Sequence, residues 1–173
     1  MDWMIALHSR FRLLPETLYL SINIANRFLS RKLVPMDDLS LIIITSLVIG
    51  CKYEEGLTPS IPQLITFTGE DYTEKELYTA ERYMLDAIHY NLAYPNPLQF
   101  WRRIIKDQPY DRITSTIAQY LIQTTCVDYH FLHILPSKIA AAAVYLSRFI
   151  ARRYPLWVSC DLISFYASIN MCP

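Results

Sequence analysis

The chain has 173 residues, of which 53% are hydrophobic and only 3 are glycine, and its 16 basic side chains balance its 16 acidic ones. This composition is too apolar for a disordered chain and too poor in glycine for a turn-rich β-sandwich, so it favours an all-α protein with a buried core. Since balanced charge gives no field that attracts phosphate backbones or anionic lipid, we expect neither nucleic acid nor membrane as a partner.

The cysteines and the apolar segments indicate a reduced, intracellular protein. Cys51, Cys126, Cys160 and Cys172 lie far apart and form no C-x-x-C pair, and the first residues do not resemble a signal peptide. The longest apolar stretch, Leu39 to Cys51, is too short to span a bilayer. We therefore expect no disulfide framework and no membrane segment.

The first 90 residues show apolar side chains at helical spacing, which predicts five helices. A proline or an acidic residue favours a helix start, and a Thr-x-x-Glu pattern at position 73 is typical of a capping box. The predicted limits are Trp3 to Leu14, Pro15 to Leu29, Pro35 to Glu55, Ile61 to Phe67, and Thr73 to about His89.

The second half begins after a stretch with two prolines at 91–97, which we interpret as a linker. Four further helices are predicted, at Leu98 to Lys106, Ile113 to Val127, Pro136 to Arg153 and about Trp157 to Ile169. The apolar pattern after Pro35 is repeated after Pro136, which suggests a duplicated helical unit.

Several ordered motifs resemble the cyclin boxes of mitotic B-type cyclins. They are Asp2 to Met4, Phe11 to Leu18, Asn26 to Ser30, Cys51 to Glu55, Tyr72 and Thr73, Glu81 and Arg82, Asn91 and Leu92, and Tyr94 to Phe100. The resemblance implies an all-α cyclin fold of two repeated five-helix bundles, the second incomplete at its C-terminus. The implied domains are a first box at 1–90, the linker at 91–97 and a second box at 98–173.

The same resemblance implies a regulatory subunit that binds and activates a cyclin-dependent protein kinase in cell-cycle control, at the G2/M stage. It implies no enzyme activity and no cofactor, and a location in the nucleus and cytoplasm. A truncated cyclin that binds a kinase without fully activating it is an alternative. So is a cyclin-fold transcription-initiation factor related to general factor B, although its DNA binding would favour a basic stripe that the sequence lacks.

The kinase-binding residues follow from the resemblance position by position. The Lys of the family's K-[FY]-E-E motif matches Lys52, and the Glu of its fifth helix matches Glu81. An ammonium donates and a carboxylate accepts, so the two can satisfy the backbone of a partner segment. The neighbouring positions expected in the interface are Tyr53, Glu54, Glu55, Arg82, Leu85 and Tyr90. Without the resemblance, these charges would be read as helix ends that face water.

A second surface is implied more weakly. Trp3, Leu7, Met36 and Ser40 match the region of the family's hydrophobic docking patch, which captures short basic-x-Leu peptides of substrates and inhibitors. The spacing of Trp3 and Leu7 equally fits a stripe that faces the core.

Three side chains that can bind zinc lie close together in the second half of the sequence. Cys126, His130 and His133 have the i, i+4, i+7 spacing that brings three ligands onto one helical face, but a helix end is expected near Asp128. We predict no metal, and the sequence contains no Gly-rich phosphate loop, G-x-S-x-G or H-E-x-x-H motif. A helical enzyme centred on this His and Cys cluster stays as the third alternative.

Overall fold

The computed structural model describes residues 2–56, 59–68, 72–106 and 111–153. All regular structure in these ranges is helical, which confirms the predicted all-α class. The chain divides into two compact units between Tyr94 and Pro95, a point inside the predicted linker. In the described ranges, no helix combines the length and the apolar character that crossing a membrane requires.

The described residues of the first unit form five α-helices. They are α1 (Asp2–Phe11), α2 (Pro15–Leu29), α3 (Leu39–Glu54), α4 (Ile61–Thr68) and α5 (Glu74–Ala87), with a 3₁₀ turn at Met36–Asp38 before α3. Pro15 occupies the first turn of α2, as its fixed φ favours. The capping box at α5 is confirmed, because the Thr73 side chain accepts from the Glu76 backbone N–H and the Glu76 carboxylate accepts from that of Thr73.

Helix α3 is the centre of the first unit because it is apolar around its whole circumference. It packs against α2 and α5 and contributes to two core clusters. One cluster joins Leu47 to Leu77 of α5, and the other joins Ile49 to Phe28 of α2 and Met84 of α5. The core of the first unit is therefore formed mainly by α2, α3 and α5.

The second unit contains α6 (Pro97–Ile105), α7 (Arg112–Thr124), a 3₁₀ turn at Tyr129–Phe131, and α8 (Pro136–Ile150). The buried Asn96 side chain caps α6, and the Asp111 carboxylate caps α7. Helix α8 packs against α6 and α7 through small side chains such as Ala140 and Ala143. The helix predicted at about Trp157 to Ile169 lies outside the described residues.

Several helices end slightly earlier than periodicity predicts. Helix α1 ends at Phe11, α5 at Ala87, α7 at Thr124 and α8 at Ile150, and not at Leu14, His89, Val127 and Arg153. Three of these ends reverse at a residue with left-handed backbone, Arg12, His89 and Arg152, with φ of 51°, 56° and 51°. Glycine usually marks such ends. The sequence carries no glycine there, so its pattern gave no stop signal.

Candidate functional site

The charged pair predicted from sequence is brought together in the first unit. Lys52 lies in the last turn of α3 and Glu81 in the middle of α5. The Lys52 Nζ donates to both carboxylate oxygens, at 2.6 Å and 2.8 Å, and lies 5.7 Å from the centroid of the Tyr78 ring. The Lys52 side chain is 45% exposed and that of Glu81 is 14% exposed. The Glu81 side chain is therefore mostly covered by the protein, whereas about half of the Lys52 side chain faces solvent.

Aromatic and aliphatic side chains accompany this pair. Tyr53 directly follows Lys52 and is 55% exposed, while Leu85 lies one turn after Glu81 and packs partly against the core. Arg82 is exposed on the same helix. Exposed aromatic groups next to charges are typical of protein interfaces, whereas an isolated surface aromatic needs no explanation. The arrangement suits recognition of another protein.

Tyr90 lies in the turn that follows α5 and is 61% exposed. Both Tyr90 and the preceding His89 have left-handed backbone, with φ of 53° and 56°. A hydrogen bond to the Asp86 carboxylate raises the pKa of the Tyr90 phenol, while the Arg82 charge lowers it by a smaller amount. The phenol is neutral at physiological pH, and while its hydrogen is donated to Asp86 its oxygen can accept a hydrogen bond from a partner.

Glu55, also predicted as a partner contact, is engaged inside the unit. Its Oε1 accepts from the Leu14 backbone N–H at 2.7 Å and from the Thr17 hydroxyl at 2.6 Å. The Leu14 side chain cannot cap α2, so the carboxylate at the end of α3 does so across a long sequence separation. Glu55 thus holds the start of α2 in place.

The neighbouring Glu54 is in a different electrostatic environment. Burial raises the pKa of its carboxyl, and the charges of Glu16 and Glu55 raise it further. Three carboxylates consequently gather where α3 ends beside the start of α2. A cationic partner group at this place would relieve their repulsion.

The four residues predicted for peptide docking do not form one exposed surface. Leu7 is fully buried in the core cluster with Leu47, and Trp3 packs partly against that cluster. Met36 is 81% exposed, and the Ser40 hydroxyl lies 2.7 Å from that of Tyr72. Leu7 is therefore a core residue, as the alternative interpretation of its spacing predicted.

A pocket of about 320 Å³ opens between α3, α4 and α5, beside Lys52. Its lining residues are Val48, Cys51, Lys52, Pro59, Ser60, Ile61, Pro62, Leu64, Glu74 and Tyr78. Burial, with a smaller contribution from the Glu55 charge, raises the pKa of the Cys51 thiol to about 12. The thiol is thus protonated at neutral pH and is a poor nucleophile.

The His and Cys cluster does not lie on one helical face. Helix α7 ends at Thr124, so Cys126, His130 and His133 lie in the following turns. The His130 Nδ1 contacts the Asp128 carboxylate at 2.7 Å. Within the described ranges, no three His, Cys, Asp or Glu side chains gather in a way that could hold a metal ion.

Two protein-family models match this chain. The family model described as Cyclin, N-terminal domain matches residues 1–93, and that described as Cyclin, C-terminal domain matches residues 95–164. The chain belongs to the cyclin family.

Curated relatives of this cyclin chain carry mitotic names. It is 45% identical over 154 residues to G2/mitotic-specific cyclin-B of Emericella nidulans, and 46% identical over 154 residues to G2/mitotic-specific cyclin cdc13 of Schizosaccharomyces pombe. Each match covers 89% of this chain and 32% of the relative. The chain thus spans about a third of the length of these relatives.

Solved structures agree on the fold. A viral cyclin from herpesvirus saimiri matches with a TM-score of 0.77 at 20% identity, over 88% of this chain and 69% of that one. A CAK complex from Chaetomium thermophilum bound to ATP-γ-S matches with a TM-score of 0.69 at 20% identity, over 87% and 51%. The predicted cyclin fold is confirmed.

Two arginines of this cyclin were not singled out from sequence. Arg27 and Arg31 lie on and just after α2 and donate to backbone carbonyls at the end of α5. Burial, and then the neighbouring Arg31 charge, lower the pKa of Arg27, which remains a cation. Two features of the sequence could have indicated their role: the i, i+4 spacing of the two arginines, and the lack of a basic residue in the last turn of α5.

Proposed function

We propose that this chain is the kinase-binding part of a regulatory subunit that binds and activates a cyclin-dependent protein kinase in G2/M control, without an active site of its own. The observation that carries the proposal is the Lys52–Glu81 pair, formed at an exposed helix face of a chain 45% identical to a G2/mitotic-specific cyclin. We also propose that the protein is found in the nucleus and cytoplasm.

The pair is suited to gripping the backbone of a partner helix and of the loop before it. An ammonium has three donors and a carboxylate has several acceptor positions, so both retain capacity beyond their mutual hydrogen bonds. Because Lys52 and Glu81 already neutralise one another, docking a partner there does not bury a lone charge. Tyr53, Leu85 and Tyr90 supply apolar area around this polar grip.

The test is a binding measurement between the purified chain and a cyclin-dependent kinase, followed by a histone-phosphorylation assay. We expect saturable binding and a gain of kinase activity. Binding without a gain of activity would favour the alternative of a non-activating cyclin. Salt-sensitive binding to duplex DNA without kinase binding would contradict the proposal and favour the transcription-factor alternative.

Capture of basic-x-Leu peptides by Trp3, Met36 and Ser40 is a further proposal. It is supported by the exposure of Met36 and by the polar group that Ser40 shares with Tyr72. Titration of a fluorescent peptide into the parent chain and the Met36→Ser variant tests it, and equal affinities would exclude Met36 from such a site.

A further inference from the structure

The end of α5 closes in a way that normally needs glycine. The Tyr90 backbone N–H donates to the Leu85 carbonyl at 2.9 Å, and the His89 N–H donates to the Asp86 carbonyl at 3.0 Å. These are the two hydrogen bonds of a Schellman motif, whose left-handed position glycine usually fills. Here His89 fills it, and Tyr90 is left-handed as well. Two consecutive non-glycine residues thus adopt a left-handed backbone conformation, which L-residues disfavour.

Two cations, Arg27 on α2 and Arg31 just after it, donate to backbone carbonyls at and just after the end of α5. The Arg27 Nη1 donates to the Asn91 carbonyl at 2.7 Å, and its Nη2 donates to the Ile88 carbonyl at 3.4 Å. Arg31 donates through Nη1 to the Ala87 carbonyl. Since α5 has no basic residue in its own last turn, the positive charge that favours a helix C-terminus comes from the neighbouring helix.

The two arginines have a rigid base. Phe28, between them in sequence, is buried with Met84 of α5 and with Ile88, the residue that follows α5. Its ring meets that of Tyr83 edge-on at 5.7 Å, and the Lys32 ammonium lies 5.3 Å from the centre of the same Tyr83 ring. The end of α2 is therefore packed on the last turns of α5, and the guanidinium groups reach the turn from a fixed position.

We propose that Arg27 and Arg31 are positioning residues of the kinase-binding face: they hold the left-handed turn at His89 and Tyr90, and so fix the direction in which Tyr90 leaves α5. The inference rests on the proposed function, in which Tyr90 contacts the kinase. The arginines themselves need not touch the kinase.

Arginine is suited to this role by its geometry. A planar guanidinium presents two N–H groups to two acceptors at once, as Arg27 does with the Ile88 and Asn91 carbonyls. An ammonium at the same place would retain the charge without the fixed fork. An exposed turn of this kind can also loosen while the core stays folded, since local opening is separate from global unfolding.

The structural half of the proposal is tested by amide hydrogen exchange. In the Arg27→Gln/Arg31→Gln variant, the amides of residues 89–91 should exchange at least about tenfold faster than in the parent chain, while those of α3 stay unchanged. Arg10→Gln, which removes an exposed arginine from α1, is the matched control. Unchanged exchange at 89–91 in the double variant would overturn the inference.

The functional half is tested by kinase affinity in double-mutant cycles. Arg27→Gln should weaken binding by roughly tenfold, and Arg27→Lys by a similar factor because charge alone does not orient the turn. In a Tyr90→Ala background the same Arg27→Gln change should have almost no further effect, whereas in a Lys52→Ala background it should keep its full effect. Equal losses of affinity in both backgrounds would show that Arg27 does not act through Tyr90 and would overturn the proposal.

A rescue variant separates this role from a general structural one. His89→Gly makes the left-handed position intrinsically favourable, so adding it to Arg27→Gln should restore most of the lost affinity. A loss that persists with glycine at position 89 would overturn the role of the turn. If the parent chain binds no kinase, the proposed function fails, and so does the proposal that the arginines orient Tyr90 toward a kinase. The hydrogen-exchange experiment then decides by itself whether the arginines hold the turn.

Discussion

Lys52 reaches from the end of α3 to Glu81 on α5, and its ammonium contacts both carboxylate oxygens, at 2.6 Å and 2.8 Å. The two residues lie 29 positions apart, so only the packing of α3 against α5 brings them together. That packing depends on buried contacts such as those of Leu47 with the cluster containing Leu77. The site is thereby coupled to the core of the first unit.

Truncation of either member of this pair should weaken kinase binding much more than it weakens the fold. Lys52→Ala and Glu81→Ala should each cost about 2–5 kcal/mol of binding if the pair is desolvated against the kinase. In the free chain the pair is partly exposed, so each change should cost under about 1 kcal/mol of unfolding free energy. Isothermal titration with the kinase and urea denaturation measure the two quantities.

The double variant and a control make this prediction specific. Sub-additive binding losses in Lys52→Ala/Glu81→Ala would indicate that both residues hold the same partner segment. Lys75→Ala, at an exposed lysine in the first turn of α5, should leave affinity unchanged. Parent-like affinity in both single variants would remove the pair from the interface.

The sequence predicted helix starts better than helix ends, for a physical reason. A start is marked by local chemistry, as at Pro15 or at the Thr73–Glu76 capping box, and both were identified correctly. An end such as that of α5 depends on a left-handed His89, whose conformation is supported by hydrogen bonds from Arg27, a residue far away in sequence. Only the folded chain shows that support.

In the candidate site too, the sequence predicted some features and not others. The Lys52–Glu81 pair was identified because both are side chains in recognisable motifs. The cap that Glu55 provides was missed because one of its two donors is a backbone N–H, that of Leu14, and backbone groups are the same for every residue type and so do not show in a sequence pattern. The kinase contacts assigned to these residues, Lys52 and Glu81 included, stay predictions.

Adjacent glutamates at the end of α3 should respond oppositely to loss of charge. Glu55→Gln weakens the charged acceptor that caps α2 and should cost about 1–2 kcal/mol of unfolding free energy. Glu54→Gln should leave stability unchanged or raise it slightly at pH 7, because burial and nearby carboxylates disfavour its ionised form. Urea denaturation of both variants tests this, and equal destabilisation would contradict the proposed cap.

The capping box of α5 should contribute to acid sensitivity. Hydrogen bonds from the Thr73 backbone and hydroxyl lower the pKa of the Glu76 carboxyl below its unfolded value of about 4.3. Its stabilising contribution is therefore complete above that value and is lost as the pH falls through the folded pKa. Glu76→Gln should accordingly show a shallower loss of stability below about pH 4.3 than the parent. Urea denaturation at a series of acidic pH values measures the two slopes, and equal slopes for Glu76→Gln and the parent would exclude this contribution.

The crossing of α2 and α3 should be intolerant of one added methyl group at Gly50. A Cβ at this position would lie 2.2 Å from the Ser21 Oγ and 3.2 Å from the Thr17 carbonyl oxygen. Alanine is normally the better helix former, yet here Gly50→Ala should cost about 1–3 kcal/mol, because the buried Ser21 hydroxyl donates to Thr17 and has little room to move. Ser21→Ala removes the clashing oxygen, so the double variant should be more stable than Gly50→Ala alone. Urea midpoints of the three variants at pH 7 measure this coupling, and a double variant less stable than Gly50→Ala would show that the Thr17 backbone, and not the Ser21 hydroxyl, limits the approach of the two helices.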